Sequence, residues 1–474
     1  MTTPFARLVG RLRPGAGSGG ATAFDRRLLA PMMLGSVLNP VNSSIISVSL
    51  VPIGAAFGAP PSSTAWLISA LYLATSIGQP VVGRLIDLFG PRRLFLAGTL
   101  LTGVAGVVGA LAPNLGVLIA ARAILGFGTC AGYPAAMYLI RSEARRTGHD
   151  SPAGVLTALA VTNQTIAVIG PSLGGLLIDL GGWRTTLAVN IPLALAAGAL
   201  GLLRLPKTTP PRTAGSTRPL AELDPAGMAL FAAALLSLLL FLMSPAPGNW
   251  YLLALAAAAA AGFAIRELRA PKPFIDLRVL AGNSPLLLTY GRALLAYVVS
   301  YSFLYGYTQW MEDGRGLGAS RAGVALLPLF CVAIVVSTAT GRRTEIRGKL
   351  LTGAVGQLAA CVMLLALAPD SPFVLLLAVA FVLGVPQGLN GLAFQNAVYY
   401  QAEPERMASS AGLLRTFGYL GAIVSSAAGG AFFPERADTP GLHHLAWFLI
   451  AVAAVFLLVT VLDRSLGAAP AAEK

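Results

Sequence analysis

Apolar residues in this chain gather into long runs, each broken by a short polar stretch. A membrane-spanning helix needs about 20 mostly apolar residues. Runs of that kind fall near 28–57, 63–85, 94–113, 116–140, 154–178, 183–204, 225–244, 249–267, 284–311, 319–340, 350–368, 373–400, 407–431 and 443–463. The pattern predicts an all-α polytopic membrane protein with about fourteen transmembrane helices. Two stretches stand outside it. Residues 1–27 hold Arg7, Arg11, Arg13, Arg26 and Arg27 among Gly and Pro, and read as a basic tail. Residues 205–223, with Pro206, Pro210, Pro211 and Pro219, read as a linker.

Composition agrees. The chain is 56% hydrophobic and 11% charged, against about 25% charged in ordinary soluble domains. A net charge of +14 raises the question of nucleic acid. The positions answer it. With the N-terminus placed inside, 26 of the 33 Lys and Arg fall in inside segments and four outside (Arg184, Arg315, Arg321 and Arg436). Three lie within runs: Arg122, Arg292 and Arg415. That asymmetry predicts both termini in the cytoplasm of a multi-pass protein of the bacterial inner membrane, with no nucleic-acid partner. Cys130, Cys331 and Cys361 sit in apolar runs with no metal or disulfide spacing. His149, His443 and His444 lie in loops or at a helix end. No nucleophile, base or metal cluster emerges, so the chain reads as no enzyme, with no cofactor. No apolar segment with a cleavage site precedes the first run, which argues against a removable signal peptide.

The chain repeats itself. Gly83, Asp87 and Gly90 recur as Gly341, Glu345 and Gly348, and Gly126 as Gly384, all 258 residues on. Gly174-Gly175 recurs 255 residues on, as Gly429-Gly430. The first six runs therefore correspond to the last six. The expected organisation is a tail (1–27), a six-helix bundle (28–204), a linker (205–223), an inserted helix pair (224–267), a second six-helix bundle (284–463) and a tail (464–474).

Four stretches resemble one family. Gly83-Arg-Leu-Ile-Asp-Leu-Phe-Gly-Pro-Arg-Arg93 is similar to the loop between helices 2 and 3 of the major facilitator superfamily, although Leu88 stands where a basic residue is usual. Arg122-Ala-Ile-Leu-Gly126 resembles its fourth-helix pattern. Gly170-Pro-Ser-Leu-Gly-Gly175 resembles the fifth-helix motif of its exporters. Gly182-Trp-Arg184 with Asn190-Ile-Pro192 resembles the start of the sixth helix in its fourteen-helix drug–proton antiporters. The resemblance implies the major facilitator fold: two pseudo-symmetric six-helix bundles plus two inserted helices, a central cavity and alternating access. It gives Gly83, Asp87, Gly90, Arg92 and Arg93, with Gly341 and Glu345 in the other half, a gating role. Gly83 is expected at a close helix approach, and Asp87 with Arg92 as a latch. It gives Gly170, Pro171, Gly174 and Gly175 the role of sealing the cavity against leak.

Ionisable groups inside a membrane are costly and so are functional candidates. Arg122 and Arg415 are the first two. Arg292 is expected to reach the interface along its aliphatic stem. The family places an acid in helix 1, yet the matching residue here is Asn42, which does not titrate near neutral pH. Every Asp and Glu is expected at a helix end, in a loop or in a terminus. A cavity with arginines and no acid suits a neutral, zwitterionic or anionic ligand. Arg122 has a plainer alternative, bonding Asn42, Gln164 or backbone carbonyls. Tyr290, Tyr297, Tyr301 and Tyr305 fall within about 80° of one helical face, which suits a flat amphipathic ligand or simple packing. Trp310 is placed near the outer interface. Further polar candidates are Tyr133, Asn163, Gln164, Gln387 and Asn390.

The expected function is a secondary transporter, a monomer in the lipid bilayer, exporting small amphipathic molecules in exchange for protons. Since Asn42 removes the usual acid, Glu312 or Asp313 is the alternative proton site. A facilitator, an anion or lipid transporter without proton coupling, or a non-transporting sensor remain as other readings.

Overall fold

In an apolar solvent a helix satisfies its own backbone polar groups, and the described residues are almost entirely helical. The computed structural model describes residues 24–147, 153–207, 224–243, 246–270, 273–275, 277–341, 345–402 and 407–463. The helices are α1 Leu29–Ile45, α2 Leu50–Phe57, α3 Pro61–Phe89, α4 Pro91–Ala110, α5 Leu115–Thr129, α6 Gly132–Thr147 and α7 Ala153–Gly181. Next come α8 Trp183–Ala188, α9 Asn190–Arg204, α10 Pro225–Met243, α11 Trp250–Arg269 and α12 Leu277–Ala281. The last are α13 Ser284–Ser302, α14 Ala319–Ala325, α15 Leu327–Thr340, α16 Ile346–Leu364, α17 Phe373–Gln401, α18 Met407–Phe432 and α19 Thr439–Leu462. Among the described residues ten helices are long and apolar enough to cross a membrane, or eleven if one bent pair counts as a single span.

That bent pair corrects the first expected run. Residues 28–57 do not form one straight helix. The chain turns by 60° between Val48 and Leu50. Serine hydroxyls compete with the backbone ladder there. Ser44, Ser47 and Ser49 donate to the carbonyls of Pro40, Ser44 and Ile45 at 2.7, 2.6 and 3.0 Å. The ninth run differs too. It continues past α13 through two π-helical turns, Phe303–Tyr307 and Trp310–Gly314.

The packing repeats as the sequence does. A Cβ at Gly126 would lie 2.5 Å from the Leu71 carbonyl oxygen, and one at Gly384 would lie 2.6 Å from that of Leu329. Both contacts recur after 258 residues. Arg92 donates to the Leu202 carbonyl at 2.8 Å, and in the later part of the chain Arg347 donates to the Val461 carbonyl at 3.3 Å. Gly90, with φ of 86°, turns the chain between α3 and α4 in a conformation that other residues rarely adopt. Gly83 does not mark a close approach, because a Cβ there would meet nothing within 4 Å. The tight contact on α3 lies at Gly78 instead, against Cys130 and Phe127 at 2.7 and 3.0 Å.

The earlier and later helices meet at the end of the molecule that carries Gly58, Gly182 and Gly316, here the Gly182 end. Ser62 donates to the Pro434 carbonyl at 2.9 Å, and Ser426 donates to that of Ala65 at 2.7 Å. A Cβ at Gly323 would lie 2.6 Å from the Pro171 carbonyl oxygen. Helices α10 and α11 pack on each other, and α10 also touches α3 and α18, one from each part of the chain. At the Gly90 end, Glu143 pairs with Arg146 at 2.7 Å and accepts from the Asp25 amide at 3.1 Å. The hydrogen bond from Arg146 holds the Glu143 carboxyl below its usual range.

Arg292 does not reach for the interface. It is fully buried and donates to Asp463 at 2.7 Å and to Thr289 at 3.0 Å. Asp463 ends α19 and brings a counter-charge to the arginine, which removes the reason to escape. Breaking a buried pair costs about 3–5 kcal/mol, because one charge loses its partner. Arg292→Met is therefore expected to lower the unfolding midpoint in detergent strongly, and Arg292→Met/Asp463→Asn to recover most of the loss. Equal midpoints for the two variants would refute the pairing.

Candidate functional site

The crossing of α3 and α5 positions the first arginine. Arg122 lies one turn before Gly126, and Leu67 one turn before Leu71. At that level Arg122 Nε donates to the Leu67 carbonyl at 3.0 Å. The side chain is buried, and its Nη2 has no hydrogen-bond partner. The phenols Tyr305 and Tyr72 lie nearby. Of the alternatives set out above, the backbone carbonyl is the one the structure shows, and the Nη2 amino group remains unsatisfied in a buried site.

The second arginine comes from α18. The Arg415 guanidinium lies 3.5 Å from the centroid of the Tyr133 ring on α6. Tyr419, one turn further along α18, and Tyr297 on α13 lie nearby. From Tyr419 the aromatic contacts run on. Its ring stacks on Tyr72 at 5.5 Å, and Tyr72 meets Tyr301 edge-on at 5.2 Å. Tyr301 is stacked with Tyr305 at 5.8 Å. Tyr305 donates its one hydroxyl proton to the Ser43 carbonyl at 3.1 Å, so Tyr72 must donate to Tyr305 across their 2.7 Å contact. The two arginines thus stand at opposite ends of a tyrosine cluster that joins α1, α3, α5 and α6 to α13 and α18.

Six expected residues meet here: Arg122, Tyr133, Tyr297, Tyr301, Tyr305 and Arg415. Others do not. Asn42 forms a reciprocal amide pair with Asn190 at 2.6 and 2.8 Å. Asn163 accepts from Ser36 at 3.4 Å. Asn390 is buried against Gly353, with neither amide atom bonded. Gln387 is half-buried and makes no hydrogen bond among the described residues. The side chains of Gln164 and Asp87 lie outside the described residues. Tyr290 leaves the aromatic stripe: its hydroxyl donates to the Ser410 carbonyl at 2.9 Å and its ring stacks on Phe417 at 5.2 Å. Arg93 and Glu345 are exposed at the Gly90 end, and Gly341 has ordinary right-handed helical φ and ψ.

Sequence reasoning missed Tyr72 and Tyr419. Tyr419 carried a usable signal, since it follows Arg415 by four residues and so shares its face. Tyr72 carried none. Two acids also differ from expectation. Glu312 is no loop-edge residue; it is 7% exposed, inside the second π-turn, and bonds to nothing among the described residues. Asp313 is held by Arg436 at 3.4 Å and the Ala437 amide at 2.9 Å. Trp310 is fully buried, and its indole N–H donates to Thr439 at 3.0 Å, so it is a core residue and no interfacial anchor.

The glycine stretch of α7 packs between other helices. A Cβ at Gly170 would strike Ser44 of α1, and one at Gly174 would lie 2.8 Å from Val48. One at Gly175 would lie 2.6 Å from the Ser320 Cα of α14. Among the described residues no group of His, Cys, Asp and Glu could hold a metal.

The profile of the Major Facilitator Superfamily matches residues 32–426. The chain belongs to this superfamily. An uncharacterized MFS-type transporter of Bacillus subtilis, YwoD, is 31% identical over 91% of this chain and 96% of its own length. The puromycin resistance protein of Streptomyces alboniger is 28% identical over 91% of this chain and 89% of its own. The crystal structure of the nucleoside transporter NupG covers 93% of this chain with a TM-score of 0.63 at 11% identity, a likeness of fold alone. As a member of the superfamily the protein is a multi-pass membrane transporter of small molecules and not an enzyme. Its relatives include drug- and antibiotic-resistance proteins. In general, a guanidinium without a carboxylate partner can take a negative or neutral polar group, and aromatic rings can hold a flat apolar body.

The Arg415–Tyr133 contact has a direct test. Tyr133→Phe keeps a ring under the guanidinium and is expected to hold the unfolding midpoint within a degree or two. Tyr133→Leu removes the ring and is expected to cost about 0.5–2 kcal/mol. Equal losses in both variants would show that the hydroxyl, and not the ring, carries the contact.

Proposed function

We propose that this protein is a secondary exporter of small amphipathic molecules that are neutral, zwitterionic or anionic, working by alternating access with proton antiport. The observation that carries the reading is the surroundings of Arg122 and Arg415. The Arg415 guanidinium lies over the Tyr133 ring, and Arg122 donates to the Leu67 carbonyl. A buried organic cation would need a carboxylate there, and none stands beside either arginine among the described residues. Similarity to a tetracenomycin C resistance and export protein of Streptomyces glaucescens supports export.

The remaining architecture follows the same reading. Fourteen spans form two six-helix bundles over 28–204 and 284–463, with α10 and α11 inserted between them. Both termini are cytoplasmic in a bacterial inner membrane, and the protein acts as a monomer. The Gly90 end then faces the cytoplasm and the contacting Gly182 end faces outward, which makes this an outward-closed state. The glycine stretch of α7 acts as the seal, because it packs α7 on α1 and α14 at that end. The Gly90 turn, with Asp87, Arg92 and Arg93, and its counterpart at Gly341 and Glu345 act as cytoplasmic gates.

For the proton, Glu312 is the candidate, because it is buried without a partner while Asp313 is held by Arg436. A second reading, facilitated transport without protons, is favoured by one observation. The Asn42 position, where the family resemblance puts an acid, holds an amide pair that cannot titrate.

Proteoliposomes decide between them. Substrate-dependent proton movement is expected in the native protein, and Glu312→Gln is expected to abolish it while leaving downhill substrate flux. Absence of proton movement in the native protein selects the facilitator. Anionic and zwitterionic amphiphiles are expected to compete for transport, and a preference for a permanent cation would overturn the substrate class.

A further inference from the structure

An open cavity of about 490 Å3 lies at the Gly182 end, lined by Arg315, Leu317, Ser320, Arg321, Val324 and Phe373. It shares no residue with the tyrosine cluster. Two of its six lining residues are arginines, and neither forms an ion pair among the described residues. Arg315 also holds a buried Nη1 with no hydrogen-bond partner. Three acids lie nearby in the chain or in contact with the lining. Asp313 is taken by Arg436 and the Ala437 amide. Asp179 accepts from the Ser320 hydroxyl. Asp370, three residues before Phe373, is exposed and does not line the cavity. Against the two unpaired guanidinium groups stands one charged carboxylate, Asp179, at the Ser320 edge, so the cavity keeps a net positive charge.

Its floor continues along the side of the molecule as apolar surface. Val324, Cys331 and Val335 are exposed. They are spaced by seven and four residues, so they share one face of the span Ala319–Thr340. On the neighbouring wall, Phe373 and Phe381 are eight residues apart on α17, and Phe381 is 56% exposed. Helices α15 and α17 pack together, so these faces border one groove. Two free guanidinium groups at the head of an exposed apolar groove match a molecule with a phosphate at one end and a long hydrocarbon tail. Guanidinium binds phosphate through paired hydrogen bonds, and the tail covers side chains that would otherwise lie bare.

We propose that this cavity and groove bind one anionic phospholipid, with its phosphate held by Arg315 and Arg321 and an acyl chain lying between α15 and α17. The bilayer supplies this ligand from the side. The site is independent of the exporter reading above.

The test uses the full chain in a neutral detergent, with thermal unfolding and native mass spectrometry as readouts. Phosphatidylglycerol, phosphatidylcholine and glycerol phosphate are added separately. Phosphatidylglycerol is expected to raise the midpoint and to leave one retained lipid per chain. Phosphatidylcholine is expected to bind about tenfold more weakly, and glycerol phosphate to have no effect. Arg315→Gln/Arg321→Gln is expected to weaken phosphatidylglycerol binding about tenfold, and Arg315→Lys/Arg321→Lys, which keeps the charge but loses the paired hydrogen bonds, to restore only part of it. Equal responses to the two lipids, the full shift from glycerol phosphate alone, or native affinity in the Gln variant would each overturn the proposal. If the double variant fails to fold, the exposed Arg321→Gln carries the test, and undiminished affinity there is equally decisive against it.

Discussion

The centre of this protein depends on two helix crossings with nothing between the backbones. At Gly126 on α5 and Gly384 on α17, any side chain would meet a carbonyl oxygen of the neighbouring helix. Without aqueous driving force between membrane helices, such close contact is a main source of cohesion. It also fixes register. With Gly126 against Leu71, the residue one turn earlier must face Leu67, and that residue is Arg122. A guanidinium in an apolar interior is thereby given one bond and denied another. The polar character of the site follows from a packing constraint.

The tyrosines complete what the arginines begin. A carboxylate beside Arg122 or Arg415 would neutralise it and leave little for a ligand. A phenol supports the charge through its ring and oxygen without cancelling it. The contrast with Arg292 is instructive. That arginine is buried just as deeply, but Asp463 answers its charge and the pair ties α13 to the end of α19. One fold holds three arginines within its apolar runs. It pairs one with a carboxylate and leaves the other two without an ion pair among the described residues.

Much of this was legible before any coordinates, and the reasons differ by residue. The helices were readable because the hydrophobic runs are long. Arg122 and Arg415 were readable because charge in an apolar run is rare, and the tyrosines of α13 because their spacing matches the helical period. The Arg292–Asp463 pair was not readable, since 171 residues separate its members. Neither was the burial of Glu312. Spacing rules assume an α-helix, and two π-turns carry α13 past its expected end and take the acid inside with it. Gly83 misled for another reason. A glycine permits close approach but does not require a neighbour, and here the neighbour stands at Gly78.

The π-turns have one more consequence. A π-turn closes its hydrogen bond one residue later than an α-turn does. It therefore stores a residue of winding. Converting one such turn to α rotates everything beyond it by about 100° relative to what came before. On the helix of Tyr301 and Tyr305 that is the difference between a ring facing Ser43 and a ring facing elsewhere. The winding of this one helix supplies a discrete unit of rotation, placed where the two parts of the chain touch.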